Sequence, residues 1–260
     1  MSKPLRVHAL VTGASRGIGR AIALHLAARG CRVAVHYAHQ RAAANDTLAA
    51  LPGQGHATFA ADAADPGELK RLWQEVVHAF GRIDLLVNNA GVYSDHPPLE
   101  TTSDRWEAEW ERTLAVNLLA PARLAHLAAR HMAAAELRDE DFGRGRIVNI
   151  SSRGAFRGEP HSPAYGASKA GLNSLSQSLA KALARNSIFV FCLAPGWVET
   201  EMAARYLEGP RGTEILSEHP LGRVARAEEI ARTAVFCALD APAAMTGSII
   251  DVNGASYLRT

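Results

Sequence analysis

The chain has 260 residues, of which 48% are hydrophobic and 21% are charged, and its formal net charge at pH 7 is +2. This length and composition predict one domain with a sizeable core, spanning residues 1–260. The basic residues are scattered, so we expect no nucleic-acid partner. No apolar run approaches the ~18 residues of a membrane span, so we expect no membrane partner.

The cysteine and histidine content argues against disulfides and metal sites. Cys31, Cys192 and Cys237 are far apart, without a CxxC pair, so we expect neither a disulfide framework nor a zinc site. The eleven histidines include no HExxH spacing, and we expect no bound metal. Residues 1–6 lack the apolar core of a signal peptide, which favours a reduced, cytoplasmic setting.

Short apolar runs alternate with amphipathic stretches along the whole chain. The strands are predicted at residues 7–11, 32–37, 56–61, 83–87, 146–150, 188–193 and 248–252. The main helices are predicted at residues 17–29, 66–80, 103–137, 163–183 and 228–239. Such alternation is typical of an α/β fold, a doubly wound parallel sheet of about seven strands with helices on both faces.

Two helix starts and two irregular segments have clear sequence signals. Asp65, followed by proline and with a glutamate three residues on, is a capping signature, and Ser162 stands in a similar place before Pro163. Residues 136–145 are charged and contain glycines, so we expect an exposed loop. Residues 199–220 are predicted to be a substrate loop, either a lid or a pair of surface helices.

Tyr165 and Lys169 are four residues apart and therefore share one face of the predicted helix. An apolar stripe continues the helix at Leu172, Leu175, Leu179 and Leu183. An ammonium beside the phenol would lower its pKa from about 10 towards neutrality, which suits a proton donor and acceptor. On these residues alone, an ordinary Tyr/Lys pair on a helix is the alternative.

Residues 12–19, Thr-Gly-Ala-Ser-Arg-Gly-Ile-Gly, join the first strand to the first helix. Glycines at such a junction let the backbone approach a pyrophosphate, and the helix N-terminus offers N–H groups to it. The spacing is GxxxGxG rather than GxGxxG, and a turn of this kind alone is weak evidence of binding.

Taken together, the motifs resemble those of the short-chain dehydrogenase/reductase family, in its single-domain branch, and are similar to those of 3-oxoacyl-[acyl-carrier-protein] reductase-like members. The resemblance covers roughly residues 6–254. It rests on the glycine turn, Asn-Asn-Ala-Gly at 88–91, Asn117, Ser152, Tyr165-x-x-x-Lys169 and Pro-Gly-Trp-Val-Glu-Thr at 195–200. The family implies a Rossmann-type fold.

The resemblance also implies a catalytic set. Tyr165 would be the general acid/base, and Ser152, thirteen positions earlier, would hydrogen-bond the substrate oxygen, with Ser151 as the alternative. Lys169 would bind the nicotinamide ribose and lower the pKa of the tyrosine. Asn117 would anchor a water next to Lys169, and a solvent-facing asparagine is the alternative.

Further positions correspond to the family's cofactor contacts. They are Gly13, Ser15, Arg16, Gly17, Ile18 and Gly19 at the glycine turn, then Tyr37, Asp62, Asn89, Ala90, Gly91, Pro195, Gly196, Val198 and Thr200, together with Tyr165 and Lys169. Residues 36–41 contain no carboxylate that would hold the ribose diol of NAD(H). Arg16, with Arg41 or His39 as further candidates, is suited to a 2′-phosphate, so the sequence favours NADP(H) over NAD(H).

Two features depart from the family pattern. Gly254-Ala255 stands where Gly-Gly is common, and Arg153 and Arg157 stand where small or apolar residues are usual. We expect these arginines to be solvated surface residues, and contact with an anionic substrate is the alternative.

The resemblance implies an oxidoreductase that transfers a hydride between a nicotinamide cofactor and a small carbonyl/alcohol substrate, of 3-oxoacyl, ketone or sugar type. The alternative is a catalytically silent nucleotide-sensing or regulatory protein, which would not need the whole catalytic set. We also expect a homo-oligomer, a tetramer by family resemblance.

Overall fold

The computed structural model describes residues 6–259, so the predicted lack of a leader at residues 1–5 lies outside it. The strands are β1 (His8–Val11), β2 (Arg32–Tyr37), β3 (Ala57–Ala60), β4 (Leu85–Asn88), β5 (Gly145–Ile150), β6 (Ile188–Pro195), β7 (Val198–Glu199), β8 (Ala225–Arg226) and β9 (Ile249–Val252). The helices are α1 (Gly17–Ala28), α2 (Arg41–Ala50), α3 (Pro66–Phe80), α4 (Ser103–Leu114), α5 (Ala120–Ala133), α6 (Gly154–Arg157), α7 (Pro163–Leu183), α8 (Glu201–Leu207), α9 (Gly212–Ser217) and α10 (Ala227–Val235).

Seven strands form one parallel sheet in the order β3-β2-β1-β4-β5-β6-β9, and β7 and β8 pair separately. The predicted doubly wound parallel sheet of about seven strands is therefore confirmed. The chain runs outwards from β1 to β3 and then returns to β4 on the other side of β1. A crevice opens beyond the carboxyl ends of neighbouring strands at such a reversal, which is where open α/β sheets bind ligands.

The sheet separates two apolar cores. One contains Ile22 and Leu26 of α1 and Ile230 of α10, and the other contains Leu72 of α3 and Leu124 of α5. All five side chains are almost fully buried. Because both faces are covered, the central strands are apolar along their length rather than alternating, as the sequence predicted.

The predicted cap of α3 is present and also shapes the neighbouring loop. The Asp65 carboxylate accepts hydrogen bonds from the backbone N–H groups of Gly67 at 2.7 Å and Glu68 at 3.0 Å. The Glu68 carboxylate accepts from the N–H of Asp62 at 2.6 Å instead of completing a reciprocal box with Asp65. This bond fixes the backbone of Asp62 at the end of β3.

The helix predicted over residues 103–137 is divided by a π-helical turn at Ala115–Leu119 and ends with α5. Pro121 follows this turn and has no N–H to donate back to the carbonyl of Asn117. A π turn at such a point is commonly associated with a functional site. Here it brings Asn117 into the interior of the protein.

Ser162 precedes α7, as predicted, but its side chain does not cap the helix. Its hydroxyl donates instead to the carbonyl of Ser94 at 2.7 Å, so α7 is tied to the loop after β4. Of the predicted leucine stripe only Leu172 is fully buried. The buried face of α7 is largely polar or small: Ala164, Gly166, Ser168, Lys169, Leu172, Asn173, Ser176 and Ala180.

The two irregular segments are more ordered than predicted. Within residues 136–145 the Phe142 ring is buried, and Arg138 forms an ion pair with buried Asp84 at 2.6 Å, so the segment is not simply an exposed loop. Residues 199–220 contain the short helices α8 and α9, which fits the surface-helix alternative. Within the described range no helix has the length and apolar character that crossing a membrane requires.

Candidate active site

A cleft of about 420 Å³ opens beyond the carboxyl ends of the central strands. Of the predicted cofactor and catalytic residues, those lining it are Gly13, Ser15, Arg16, Gly17, Ile18, Gly19, Tyr37, Asp62, Asn89, Ala90, Gly91, Ser152, Tyr165, Lys169, Pro195, Gly196, Val198 and Thr200. The fold thus brings together residues that are up to about 190 positions apart in the sequence, as parallel strand ends do. Asn117 lies behind the lining.

The glycine turn has no room for side chains at two of its positions. Gly13 has φ +62°, and a Cβ there would lie 2.9 Å from the Cα of Ala90. A Cβ on Gly19 would overlap the carbonyl oxygen of Gly13. The loops after β1 and β4 therefore pack backbone against backbone, which leaves an open surface for a phosphate-bearing ligand.

The N-terminus of α1 faces the cleft without a side-chain cap. Its first N–H groups are thus available to an anion, and the helix dipole favours one there. Arg16, at the N-cap position, extends to Glu201 of α8 and forms an ion pair at 2.8 Å. The two side chains are 52% and 71% exposed, so solvent screens this pair and releasing Arg16 costs little.

His36 supports the turn, and the sequence analysis missed this role. Its Nδ1 accepts a hydrogen bond from the N–H of Gly13 at 3.1 Å, so Nε2 carries the proton and donates to the carbonyl of Ala61 at 2.9 Å. Burial lowers the pKa of this imidazole, which favours the neutral form that both bonds require. A histidine directly after the apolar residues 33–35 of strand β2 was the available signal.

Asn89 and Thr12 join the two loops at the centre of the cleft. The Asn89 amide donates to the carbonyls of Thr12 at 2.9 Å and Gly13 at 3.1 Å. The Thr12 hydroxyl accepts from the N–H groups of Asn89 at 2.9 Å and Ala90 at 3.0 Å. These bonds hold Ala90 close to Gly13, a contact that is possible because Gly13 has no side chain.

Asp62 has a partner that the sequence analysis did not identify. Arg112 of α4 forms an ion pair with its carboxylate at 3.0 Å, and the N–H of Ala64 donates to the other oxygen at 2.9 Å. Burial alone would raise the pKa of Asp62, but these two donors outweigh it and lower the pKa. The carboxylate is therefore charged at neutral pH and fixed at the end of the cleft that follows β3.

Lys169 is buried and is tied to the end of β5. Its Nζ donates to the carbonyl of Ile150 at 2.8 Å, and the Ser151 hydroxyl donates to the carbonyl of Lys169 at 3.2 Å. Burial lowers the pKa of Lys169 to about 8. The ammonium lies 5.7 Å from the centre of the Tyr165 ring.

The Tyr165 hydroxyl has Ser152 as its neighbour. Because the Ser151 hydroxyl is engaged with Lys169, Ser152 is the serine beside the phenol, and its Oγ also accepts from the N–H of Gly154 at 3.0 Å. Burial raises the pKa of Tyr165 to about 12, although the hydrogen bond with Ser152 lowers it in part. The expected shift towards neutrality by Lys169 is therefore wrong for this structure, and the phenol keeps its proton at neutral pH.

Asn117 is fully buried, so the solvent-facing alternative is wrong. Its amide donates to the carbonyl of Val92 at 3.0 Å and to the Ser168 hydroxyl at 3.2 Å, and its Oδ1 accepts from the N–H of Val92 at 2.8 Å. The side chain thus links the loop after β4 to α7. Gly91 leaves space between Asn117 and Lys169, since a Cβ there would lie 3.3 Å from Oδ1 and 3.7 Å from Nζ.

An aromatic cluster stands beside Tyr165. The ring of Tyr93 packs edge-on against Tyr165, with 4.9 Å between ring centres, and also contacts Trp197 and Tyr206. Pro195, Gly196, Val198 and Thr200 continue this wall after β6. One end of the cleft is therefore polar and glycine-rich, and the other is aromatic.

Arg153 is not the solvated surface residue that was expected, whereas Arg157 is exposed but paired. The Arg153 side chain is only 3% exposed and forms an ion pair with Glu218 at 2.7 Å, and Arg157 pairs with the same carboxylate at 3.1 Å. Arg153 also donates to the carbonyl of Ser256 at 3.2 Å. Both arginines therefore join the Ser152 loop to the segment that follows α9.

Known proteins resemble this chain over nearly its whole length. Residues 13–255 match a family model described as enoyl-(acyl carrier protein) reductase. The 3-oxoacyl-[acyl-carrier-protein] reductase FabG of Staphylococcus aureus strain Mu50 is 38% identical over 252 residues, covering 96% of this chain and 98% of that protein. The FabG of Escherichia coli K12 is 37% identical over 250 residues, covering 96% and 97%.

A solved structure agrees with these relatives. It is that of a Beutenbergia cavernae protein, provisionally assigned as an NAD(P)-dependent gluconate 5-dehydrogenase, with NADP bound at low occupancy. Its TM-score is 0.83 at 33% identity, covering 98% of this chain and 99% of that one. The chain therefore belongs to the short-chain dehydrogenase/reductase family. It is an oxidoreductase that acts on a carbonyl/alcohol group with a nicotinamide cofactor, and not a silent regulatory protein.

The buried ammonium of Lys169 predicts a pH-dependent stability. Its pKa is about 8 in the folded protein and 10.5 ordinarily, so the unfolded chain binds more protons between these values. Relative to Lys169→Met, the free energy of unfolding of the wild type should therefore rise by about 2 kcal/mol from about pH 7.5 to about pH 9.5. Urea denaturation of both proteins measures this, with Lys181→Met, an exposed lysine of the same helix, as the control. The prediction would be contradicted if the free energies of unfolding of wild type and Lys169→Met changed with pH in the same way.

Proposed function

We propose that the protein reduces a carbonyl substrate with NADP(H), using Tyr165 as the proton donor and Ser152 and Lys169 as its partners. The observation that carries this proposal is the position of Tyr165, which lines one cleft together with the glycine turn, Ser152 and Lys169 and packs against the aromatic ring of Tyr93. A phenol that holds its proton at neutral pH is ready to donate it to a carbonyl oxygen. The reverse reaction, alcohol oxidation, uses the same groups.

The glycine turn and the uncapped N-terminus of α1 fit the pyrophosphate of a nicotinamide dinucleotide. Asp62 and Ala90 would hold the adenosine, and Lys169 would contact the nicotinamide ribose. The bound nicotinamide supplies the hydride. Ser152 would orient the substrate oxygen towards Tyr165, which transfers the proton. Asn117 holds α7 against the loop that follows β4, so that Lys169 faces the cleft.

The preference for NADP(H) is supported by the residues at the end of β2. Tyr37, Ala38, His39 and Gln40 line the cleft there, and none of them carries a negative charge that would repel a 2′-phosphate. Arg16 lines the same cleft, whereas the exposed Arg41 is not part of the lining. The Beutenbergia cavernae neighbour with NADP is consistent with this choice.

Arg16→Ala should abolish the cofactor preference. One charged hydrogen bond to the 2′-phosphate is worth about 1.5–3 kcal/mol, so the ratio of kcat/KM for NADPH to that for NADH should fall about tenfold to hundredfold. Arg41→Ala is the matched control and should leave this ratio near that of the wild type. A wild-type preference for NADH, or an unchanged ratio in Arg16→Ala, would contradict the assignment.

Tyr165→Phe and Lys169→Met should fail in different ways. The first removes only the proton donor, so kcat should fall about 10²–10⁴-fold with cofactor affinity nearly unchanged. The second removes the ribose contact as well, so both kcat and cofactor affinity should fall. Steady-state kinetics and cofactor titration measure the two effects, with Tyr257→Phe, outside the cleft, and Lys181→Met as controls. Full activity of Tyr165→Phe would rule out the mechanism.

We also propose that the protein forms a homotetramer and that it is located in the cytoplasm. The leucine at position 119, in the π turn, is 43% exposed, which suits a face covered by another copy. All three cysteines are free thiols, as a reducing compartment would keep them. Light scattering should return about four times 27.8 kDa, and a monomer at micromolar concentration would contradict the tetramer.

A further inference from the structure

A carboxylate stands at the substrate end of the cleft. Glu159 lies between α6 and α7, is half-buried, and lines the same cleft as Ser152 and Tyr165. Its side chain lies over Gly154, where a Cβ would overlap the carboxylate oxygen. Gly154 therefore leaves the space that this carboxylate occupies.

The Glu159 carboxylate accepts no hydrogen bond and forms no ion pair within residues 6–259, where Arg153 and Arg157 pair with Glu218. Arg153 and Arg157 influence it electrostatically, but both direct their guanidinium groups to Glu218 instead. Burial raises the pKa of Glu159, against the effect of these arginines and of Arg211. Its oxygens are not among the fully buried ones, so solvent in the cleft, or a ligand group that displaces this solvent, is their hydrogen-bond donor.

A second unpartnered polar group lies close by. The Tyr93 hydroxyl is buried without a hydrogen-bond partner among the described residues, and its ring contacts that of Tyr165. Glu159 is near enough to raise the pKa of both phenols. The reacting phenol thus has an unpaired acceptor and an unpaired hydroxyl beside it, in a wall that is otherwise aromatic.

We propose that Glu159, assisted by the Tyr93 hydroxyl, recognises a hydroxyl group on the substrate close to its reacting carbonyl. The substrate class is then a hydroxylated carbonyl compound, not a simple ketone or an unsubstituted acyl chain. This inference rests on the proposed reductase function and adds the feature by which the site selects its substrate.

The charges around Glu159 favour a neutral donor. Arg153, Arg157 and Arg211 surround the carboxylate with positive potential, which opposes an ammonium group on the substrate. A substrate carboxylate or phosphate placed here would meet Glu159 itself at close range. A hydroxyl donates a hydrogen bond without either conflict, whereas a hydrocarbon would leave the carboxylate desolvated and unpaired.

The test compares hydroxyketones with their methyl ethers, which keep the oxygen and lose only the donated proton. The hydroxyl is placed one or two carbons from the carbonyl, and kcat/KM is measured with NADPH. For the wild type, kcat/KM should be about tenfold or more higher for the better hydroxyketone than for its methyl ether. Glu159→Leu should reduce this ratio about tenfold to hundredfold. Glu159→Gln retains an acceptor and should lose less, and Tyr93→Phe should lose about threefold to tenfold.

Glu218→Gln is the matched control for Glu159→Gln, because it neutralises a carboxylate beside the same arginines but outside the cleft lining. It should leave the hydroxyketone-to-ether ratio unchanged. If wild type and Glu159→Leu both turn over ketones and show the same hydroxyketone-to-ether ratio of kcat/KM, this inference is overturned and the proposed function is left intact. Absence of turnover with every carbonyl compound would refute both.

Discussion

The hydrogen bond from the Lys169 ammonium to the Ile150 carbonyl is the interaction on which the site depends. The Ser151 hydroxyl reinforces it in the opposite direction, by donating to the carbonyl of Lys169. Together they hold the first turns of α7 against the end of β5, and so fix Tyr165 beside Ser152 at the mouth of the cleft. A buried ammonium must keep its acceptor, and its lowered pKa reflects how little other solvation it has.

The same requirement explains why the buried face of α7 is polar. The helix packs over strand ends, where carbonyls and amides need partners, and Ser176 accepts from the Asn149 amide at 2.8 Å while Ser168 accepts from Asn117. An apolar stripe would leave these groups unsatisfied. The network therefore gives α7 one position relative to the sheet, as the proposed role of Tyr165 as proton donor requires.

The two ends of the cleft are built differently, one from closely packed backbone and the other from side chains. At the cofactor end, absent side chains at Gly13 and Gly19 let two loops meet backbone to backbone, and His36 fixes the turn from behind. At the opposite end, aromatic rings fill the wall, and neither the Glu159 carboxylate nor the Tyr93 hydroxyl has a hydrogen-bond partner within residues 6–259. The proposed dinucleotide site at the first end depends on backbone shape, whereas the proposed substrate selectivity at the second end depends on side chains.

The sequence by itself determined the order of strands and helices, the glycine turn, the Asp65 cap and the residues that would meet at the strand ends. These depend on local periodicity and on the geometry of parallel sheets, which short segments encode. Only the tertiary structure decided the pairing of Arg153 and Arg157 with Glu218, the burial of Asn117 at a π turn, the use of the Ser162 hydroxyl and the isolation of Glu159. Their partners lie tens of residues away, and whether a charged side chain is solvated or paired is set by packing that no local pattern specifies.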